Sequence, residues 1–400
     1  MAVLLQALVL LGLGFAAATT VYYSGLCLVA LCLAGRRQLA LPSNPASRFV
    51  LVIPAHDEEE ALPETLHACA ALEYPHSLYD VLVVADNCSD GTASVARALG
   101  ARCLERQDPA QRGKGYALAW AFRHLESEDF DAVVVLDADC SLDPRALRVF
   151  DARLQQGAQA VQAAYVATNP TESPISYVVA LGRHLENNFF YAPKTPLGLA
   201  VLLRGTGMVL RKEVLARLPW RAHSVAEDVE YSLDLVENDV PVVFEASVAV
   251  WSRFPASRQQ LGVQRSRWAG GNWELARRRA LPLWWAGWRR RSLARLDAAW
   301  TLVVQSRPFV LLELLAVLLV AMAAVWLRPD GTSRALLVVA LALLGLQLLY
   351  LAFGILHYGL DRRRFALLLR SPFALGRLAL ISLRGLAGSG RDVWARTPRR

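Results

Sequence analysis

The sequence is short of several signatures that would assign it quickly. The first stretch that reads as a strand running into a helix, Val52-Ile53-Pro54-Ala55-His56-Asp57-Glu58-Glu59, has no Gly-x-Gly-x-x-Gly. It carries acids where a nicotinamide-binding turn carries glycines, which argues against a Rossmann dehydrogenase. Gly113-Lys114-Gly115 lacks the spacing of a Walker loop, which argues against ATP hydrolysis. The six cysteines form no Cys-x-x-Cys and no framework pattern, and read as reduced core residues of a cytosolic region. No zinc-finger spacing or RNA-binding signature accompanies the basic residues, so no nucleic-acid partner is expected. The apolar N-terminal run is too long, and its start not basic enough, for a signal peptide. Lysine is scarce, and arginine carries most of the positive charge.

What the chain has in excess is hydrocarbon. Of its 400 residues 54% are hydrophobic, above the usual soluble range, and the excess sits at the two ends. Residues 3–34, 309–327 and 335–356 are each long enough to span a bilayer. The net charge of +8 is concentrated in clusters beside apolar segments: Arg277-Arg278-Arg279, Arg289-Arg290-Arg291, Arg362-Arg363-Arg364 and Arg399-Arg400. Such clusters favour an anionic membrane face. Arg36-Arg37 and Arg362-Arg363-Arg364 put the middle of the chain in the cytoplasm by the positive-inside tendency. Expected divisions are a spanning helix at 1–36, a cytoplasmic α/β domain at 37–257, and interfacial amphipathic helices at 258–306. Two spans at 307–360 follow, then an interfacial helix and tail at 361–400. Glu313 falls inside a span, where a carboxylate is either functional or a bland protonated group.

Between the ends, apolar runs alternate with helical periods. Strands are expected at 49–53, 81–85, 101–105 and 132–136, and helices at 59–72, 92–99 and 115–125. That alternation implies a doubly wound, largely parallel sheet. Val133-Val134-Val135-Leu136 is the most strand-like run, and Asp137-Ala138-Asp139 follows where it ends. Ligands bind at the carboxyl ends of strands in such sheets, and paired hard oxygens there suit Mg²⁺ or Mn²⁺ with phosphate. A solvated strand-to-loop corner gives the same pattern.

Each remaining candidate has a plain alternative too. Asp57 and Glu58 reach a base edge or ribose, or dress a helix N-terminus. Asp86 ends the second strand, and Asp90 reads as a turn or cap residue. Lys114 reaches nucleotide phosphates, or is a solvated loop lysine. Asp228, in Glu227-Asp228, stands near an apolar wall that would raise its pKa and suit a general base; a helix-start acidic pair is the alternative. Gln264, Arg267 and Trp268 share one helical face. There arginine neutralises a leaving diphosphate and tryptophan stacks on a sugar, or both serve a membrane-interface helix.

Taken in order, these residues resemble membrane-bound family 2 glycosyltransferases of the GT-A fold, of the Gln-x-x-Arg-Trp type. This group includes the cellulose and poly-N-acetylglucosamine synthases and the ceramide glucosyltransferases. The resemblance runs to the closing Trp394-Ala395-Arg396-Thr397-Pro398-Arg399. It implies an α/β GT-A fold, with a doubly wound mixed sheet flanked by N- and C-terminal transmembrane and interfacial helices. It also implies that Pro54, Asp57, Glu58, Asp86, Lys114 and Asp137 bind the donor nucleotide, usually uridine. Asp139 binds Mg²⁺ or Mn²⁺, Asp228 is the base, and Glu227, Gln264, Arg267 and Trp268 hold diphosphate and acceptor. The activity implied is inverting transfer from a UDP-sugar to a polysaccharide or lipid-linked acceptor at the bacterial inner membrane. Membrane lipids and other polysaccharide-assembly subunits are the implied partners. A single-transfer glycolipid synthase is the alternative, and a silent sugar-nucleotide sensor or scaffold a weaker one. Two departures look harmless: Asp57 stands where asparagine is common, and Ala226 replaces a frequent threonine. A third, Arg204-Gly205-Thr206, lacks the aromatic-cysteine lead of cellulose-type enzymes and puts cellulose-like acceptor handling in doubt.

Overall fold

The computed structural model describes residues 2–33, 39–42, 44–304 and 307–386. Arg36-Arg37, Ser43 of the Pro42–Pro45 linker, and the end of the chain with Trp394–Arg399 and Arg399-Arg400 lie outside the described residues. The chain opens on α1 (Ala2–Leu33) and then alternates as its periodicity requires. In order come β1 (Phe49–Ala55), α2 (Leu62–Ala70), β2 (Tyr79–Asp86), α3 (Thr92–Ala98), β3 (Arg102–Arg106), α4 (Lys114–Leu125) and β4 (Ala132–Val135). A less regular half follows, with β5 (Cys140–Leu142), α5 (Ala146–Gln155), β6 (Ala160–Ala167) and α6 (Pro174–Glu186). It closes with β7 (Met208–Arg211), α7 (Lys212–Arg217), α8 (Glu227–Glu237) and β8 (Val242–Ser252).

The strands form one mixed sheet in the order β3-β2-β1-β4-β7-β6-β8-β5. The first four are parallel to their neighbours, while β7 runs antiparallel to both β4 and β6. Phe49, Leu51 and Ile53 join the core on one face of β1, and Val50 and Val52 the core on the other. Burial on both faces explains why these strands read as continuous apolar runs without alternation. The antiparallel insertion has a local consequence. It lays Gly205-Thr206-Gly207, just ahead of β7, against the carboxyl end of β4, where the Gly207 amide donates to the Val135 carbonyl at 2.8 Å. Gly207 has φ +64°, and a Cβ there would lie 2.5 Å from Val250 Cγ2, so both its backbone angle and its surroundings require glycine.

Beyond the sheet, α9 (Arg258–Arg290) and α10 (Leu293–Val304) pair with each other, followed by α11 (Arg307–Leu327), α12 (Gly331–Tyr358), α13 (Arg362–Leu369) and α14 (Pro372–Leu386). Gln6–Leu33, Val310–Leu327 and Gly331–Tyr358 are long and apolar enough to cross a bilayer. They pack together through Val9, Leu13, Leu314, Val317, Leu336 and Ala340. Gly12 lets α1 approach α11, since a Cβ there would collide with Val317 and stand 3.4 Å from Glu313 Oε1. Both Glu313 oxygens are buried without a hydrogen-bond partner among the described residues. At one end of the bundle, Gln6 Nε2 donates to Ser333 Oγ at 2.9 Å. Sequence spacing implied one helix over 365–388, with Arg370, Arg377 and Arg384 in register. The structure breaks it between Leu369 and Pro372, because proline disfavours helical backbone at the preceding Ser371 and gives no amide to the turn before.

An enclosed ion pair joins the sheet domain to α10 and, through Tyr22, to the spanning helix α1. Lys194 Nζ donates to Asp297 Oδ2 at 2.9 Å and to Thr301 Oγ1 at 2.8 Å, with both charged side chains out of solvent. Asp297 also accepts from Tyr22 Oη of α1 at 2.6 Å and from the Ala200 amide at 3.0 Å. Removing one member leaves the other charge buried alone. Asp297→Ala is expected to destabilise the protein by about 3–5 kcal/mol, read as a lower melting temperature of the detergent-purified chain. The double variant Lys194→Met/Asp297→Leu should recover most of that loss, and equal losses for the two variants would show that the pair's charge is not the cause.

Candidate functional site

The loops after β1 and β2 are latched together by carboxylates on backbone amides. Asp57 sits in the left-handed region, with φ +54°. Its Oδ1 accepts from the Ser89 amide at 2.6 Å. Glu59 Oε2 accepts from the Gly91 amide at 2.7 Å, and Asp90 Oδ1 caps Thr92 at 2.9 Å. Asp86, at the end of β2, forms a buried pair with Arg106 on β3, whose Nη1 donates to Oδ1 at 2.6 Å. Arg106 was invisible to sequence reasoning, because an arginine on a weak edge strand has no marker for what it faces across the sheet.

At the end of β4, the Asp137 amide donates to Thr206 Oγ1 at 3.1 Å. Lys114 begins α4 after Gly113, whose φ of +126° favours glycine. Lys114 Nζ donates to Asp137 Oδ1 and, at 2.6 Å, to the Gly205 carbonyl. A Cβ on Gly115 would collide with the Ala222 carbonyl, so α4 starts in direct contact with the segment that leads to α8. Burial pulls the Lys114 ammonium down, but Asp137, Glu227 and Asp228 outweigh it and leave its pKa above the ordinary value.

Ligand atoms of Asp137, Asp139 and Cys140 lie within 4.8 Å of one another. The Cys140 thiol is buried and held well up by desolvation and then by Asp139, which leaves the two carboxylates as the available donors. Asp137 is already committed in part to Lys114. Two hard carboxylates, one shared, make too small a set for a dedicated cage. They do suit a small divalent ion that draws its remaining ligands from water and phosphate.

Glu227 and Asp228 open α8. Burial raises both carboxyls, and Asp228 adds to the rise at Glu227. Asp228 Oδ1 accepts from the Val229 amide at 2.8 Å, and a Cβ on Gly205 would lie 3.4 Å from Oδ2. The bare glycine therefore keeps the space beside that oxygen open. Across the site, Gly271 of α9 packs on Ala226, where an added Cβ would meet Ala226 Cβ at 3.1 Å.

These groups share one cavity of about 1520 Å³. Its wall contains Pro54, Glu58, Asp86, Lys114, Asp137 and Asp139 from the sheet side. Glu227, Asp228, Gln264, Arg267 and Trp268 come from α8 and α9. Asp57, expected at the nucleoside, is not part of that wall among the described residues; its carboxylate accepts from the Ser89 amide. The wall also contains residues that no motif announced. His223 stacks on Tyr116 with ring centres 4.2 Å apart, Arg183 and Arg265 lie by Trp268, and Glu186 pairs with Arg183. From there the cavity continues between the apolar helices, past Leu351 and Ile355 of α12 and Leu378 and Ile381 of α14.

Residues 45–271, more than half of the chain, match the family described as "Glycosyltransferase like family 2". The chain belongs to that family. It is 24% identical over 229 residues to the probable glycosyltransferase YdaM of Bacillus subtilis, covering 56% of this chain and 54% of YdaM. It is 26% identical over 236 residues to a beta-monoglucosyldiacylglycerol synthase of Trichormus variabilis, covering 56% of this chain and 48% of the synthase. The chain thus spans about half the length of these curated relatives. Among solved structures it resembles the mannosyltransferase PcManGT of Pyrobaculum calidifontis, determined with GDP-mannose and Mn²⁺. That match has a TM-score of 0.56 at 18% identity and covers 93% of this chain and 99% of the other, a likeness of fold.

The contact at Gly115 gives a test of how the site is held. Gly115→Ala forces a methyl into a backbone carbonyl and is expected to cost about 1–3 kcal/mol. Gly182→Ala, with no atom within 4 Å of the added Cβ, should be near neutral. Thermal unfolding of both variants checks the contrast, and a neutral Gly115→Ala would remove the close approach as a constraint.

Proposed function

We propose that this chain transfers a sugar, with inversion, from a nucleotide-sugar donor, most simply a UDP-sugar, to a lipid acceptor at the membrane surface. The observation that carries the proposal is the single cavity in which Asp228, the Asp137/Asp139 pair and Arg267 share a wall that continues between apolar helices. The cytoplasmic face of a bacterial inner membrane is the proposed location. It is supported by the arginines that flank the spans at Arg36-Arg37 and Arg362-Arg363-Arg364.

In this reading Pro54, Glu58 and Asp86 line the nucleoside end, and the diphosphate lies toward Lys114 and Arg267. A divalent ion, Mg²⁺ or Mn²⁺, held by Asp137 and Asp139 would supply Lewis-acid charge to the diphosphate oxygens when bound. Asp228 accepts the proton of the acceptor hydroxyl, whose oxygen attacks the anomeric carbon in line with the departing diphosphate. Arg267 neutralises charge on the leaving group. The transfer is direct and needs no covalent sugar–enzyme intermediate. The raised pKa of Asp228 strengthens it as a base, at the cost of activity in acid.

Polysaccharide synthesis is the second reading, favoured by Gln-x-x-Arg-Trp. The geometry favours a lipid, because the cavity leads from the acids into hydrocarbon walls. A sensor or scaffold has less use for a carboxyl raised by burial beside an open glycine.

Incubating detergent-purified protein with radiolabelled UDP-sugars, Mg²⁺ or Mn²⁺ and membrane lipid extract should give one lipid-soluble product. A polymer ladder would support the second reading, and donor binding without nucleotide release the sensor. Asp228→Asn should bind donor nearly as before and lose turnover by at least about a hundredfold; retained turnover removes Asp228 as the base. With Asp228 raised above the ordinary carboxylate value, kcat/KM for the acceptor should fall as pH drops through that raised pKa. The acid limb should therefore stand above the ordinary aspartate range, and a rate still flat down into that range would contradict the assignment.

A further inference from the structure

Trp268 marks the point where the charged part of the cavity meets its hydrocarbon part. The Arg183 guanidinium lies 5.3 Å from the centre of its ring and that of Arg265 lies 5.2 Å away. Arg183 belongs to α6 and Arg265 to α9, so two separate elements bring like charges to one indole. The carboxylate at hand is Glu186. Its Oε2 accepts from Arg183 Nη1 at 2.7 Å and from Arg204 Nη2 at 2.8 Å. One carboxylate is therefore shared by two arginines before Arg265 is considered. Arg265 makes no ion pair among the described residues, and its Nε is buried with no hydrogen-bond partner among them. Burial, and then Arg183, push its guanidinium down to about 10.

A guanidinium whose Nε is buried without a hydrogen-bond partner among the described residues, in the wall of a ligand cavity and beside a second arginine, has a place for an anion. The position narrows which anion. Arg183 and Arg265 stand in the wall with Val178 and Leu181 of α6, next to Leu351 and Ile355 of α12. An anion placed there has hydrocarbon beside it, in the same cavity whose wall contains Asp228.

We propose that the acceptor is an anionic lipid whose head-group phosphate is gripped by Arg183 and Arg265. Its acyl chains lie along α6 and α12, and its hydroxyl faces Asp228. This rests on the lipid-acceptor reading above and adds the acceptor's charge to it. The hydroxyl proton passes to Asp228, and the hydroxyl oxygen forms the new bond to the anomeric carbon. The bond from that carbon to the diphosphate oxygen breaks, its electron pair leaving on the nucleoside diphosphate.

The test uses the full chain in neutral detergent with a UDP-sugar, Mg²⁺ or Mn²⁺, and one of three probes. Phosphatidylglycerol carries phosphate, hydroxyls and tails, diacylglycerol lacks the phosphate, and glycerol 3-phosphate lacks the tails. Phosphatidylglycerol is expected to have a kcat/KM at least about tenfold above either of the others. Arg183→Met and Arg265→Met should each raise its KM about tenfold and move the donor KM far less. Arg265→Lys, which keeps the charge, should recover most of that loss and controls for folding. Transfer to diacylglycerol that equals or exceeds transfer to phosphatidylglycerol overturns the anion site and leaves the lipid reading standing. Variants that raise the donor KM instead assign these arginines to the diphosphate and also overturn it. Equal use of glycerol 3-phosphate overturns the role of the tails. Absence of nucleotide release with any probe, or with a neutral oligosaccharide, overturns the glycosyl-transfer reading itself.

Discussion

The ammonium of Lys114 is the contact on which the site depends. It joins Asp137 at the end of β4 to the carbonyl of Gly205 ahead of β7, and it faces Glu227 and Asp228 at the start of α8. Those groups come from both halves of the sheet, the parallel one and the one entered through an antiparallel strand. Three carboxyls converging without a cation would repel one another in a medium that screens them poorly. With the cation in place they can share a wall and still differ in role. Asp137 stays paired, while Glu227 and Asp228 are raised by burial.

The chain's use of lysine follows the same logic. Lys114 and Lys194, two of the chain's three lysines, point into carboxylate surroundings, whereas most of the arginines are spread over loops, helix ends and the apolar flanks. A compact ammonium suits a small cage, and a planar fork suits phosphate and exposed faces. Lys194 with Asp297 fastens the sheet domain to α1 and α10, and Lys114 with Asp137 fastens the site within that domain.

Much of this was legible in the sequence where the cause is local. Strands buried on both faces read as Val/Ile/Leu runs, and the acids appear where those runs end, because a charge cannot continue into the sheet. What stayed hidden depends on tertiary pairing or on backbone angle. Asp57 reads like a ligand, and its hydrogen bond from the Ser89 amide, on the neighbouring loop, could not be foreseen. Arg106 and Asp86 are 20 residues apart, and no pattern links them. Arg183 and Trp268 meet only because α6 and α9 close over the same space. The break at Pro372 was visible as a residue, but the seven-residue arginine spacing argued for a continuous helix through it.

The distribution of charge around the cavity bears on what the acceptor is. Acids gather at the ends of β1, β2 and β4 and at the start of α8, where a donor's nucleoside, diphosphate and metal would bring their own charges. Guanidiniums gather around Trp268, at the edge of the hydrocarbon branch. A neutral polymer threading this space would leave the Arg265 charge uncompensated along its path, and it would have to cross an apolar wall between α6 and α12. A molecule with an anion at one end and hydrocarbon at the other meets both conditions at once, because its charge answers the arginines and its tails replace nothing that water held well. The same arrangement limits how far such a molecule can enter. Once its anion reaches the guanidiniums, hydrocarbon walls and not charge meet whatever part of it lies beyond them.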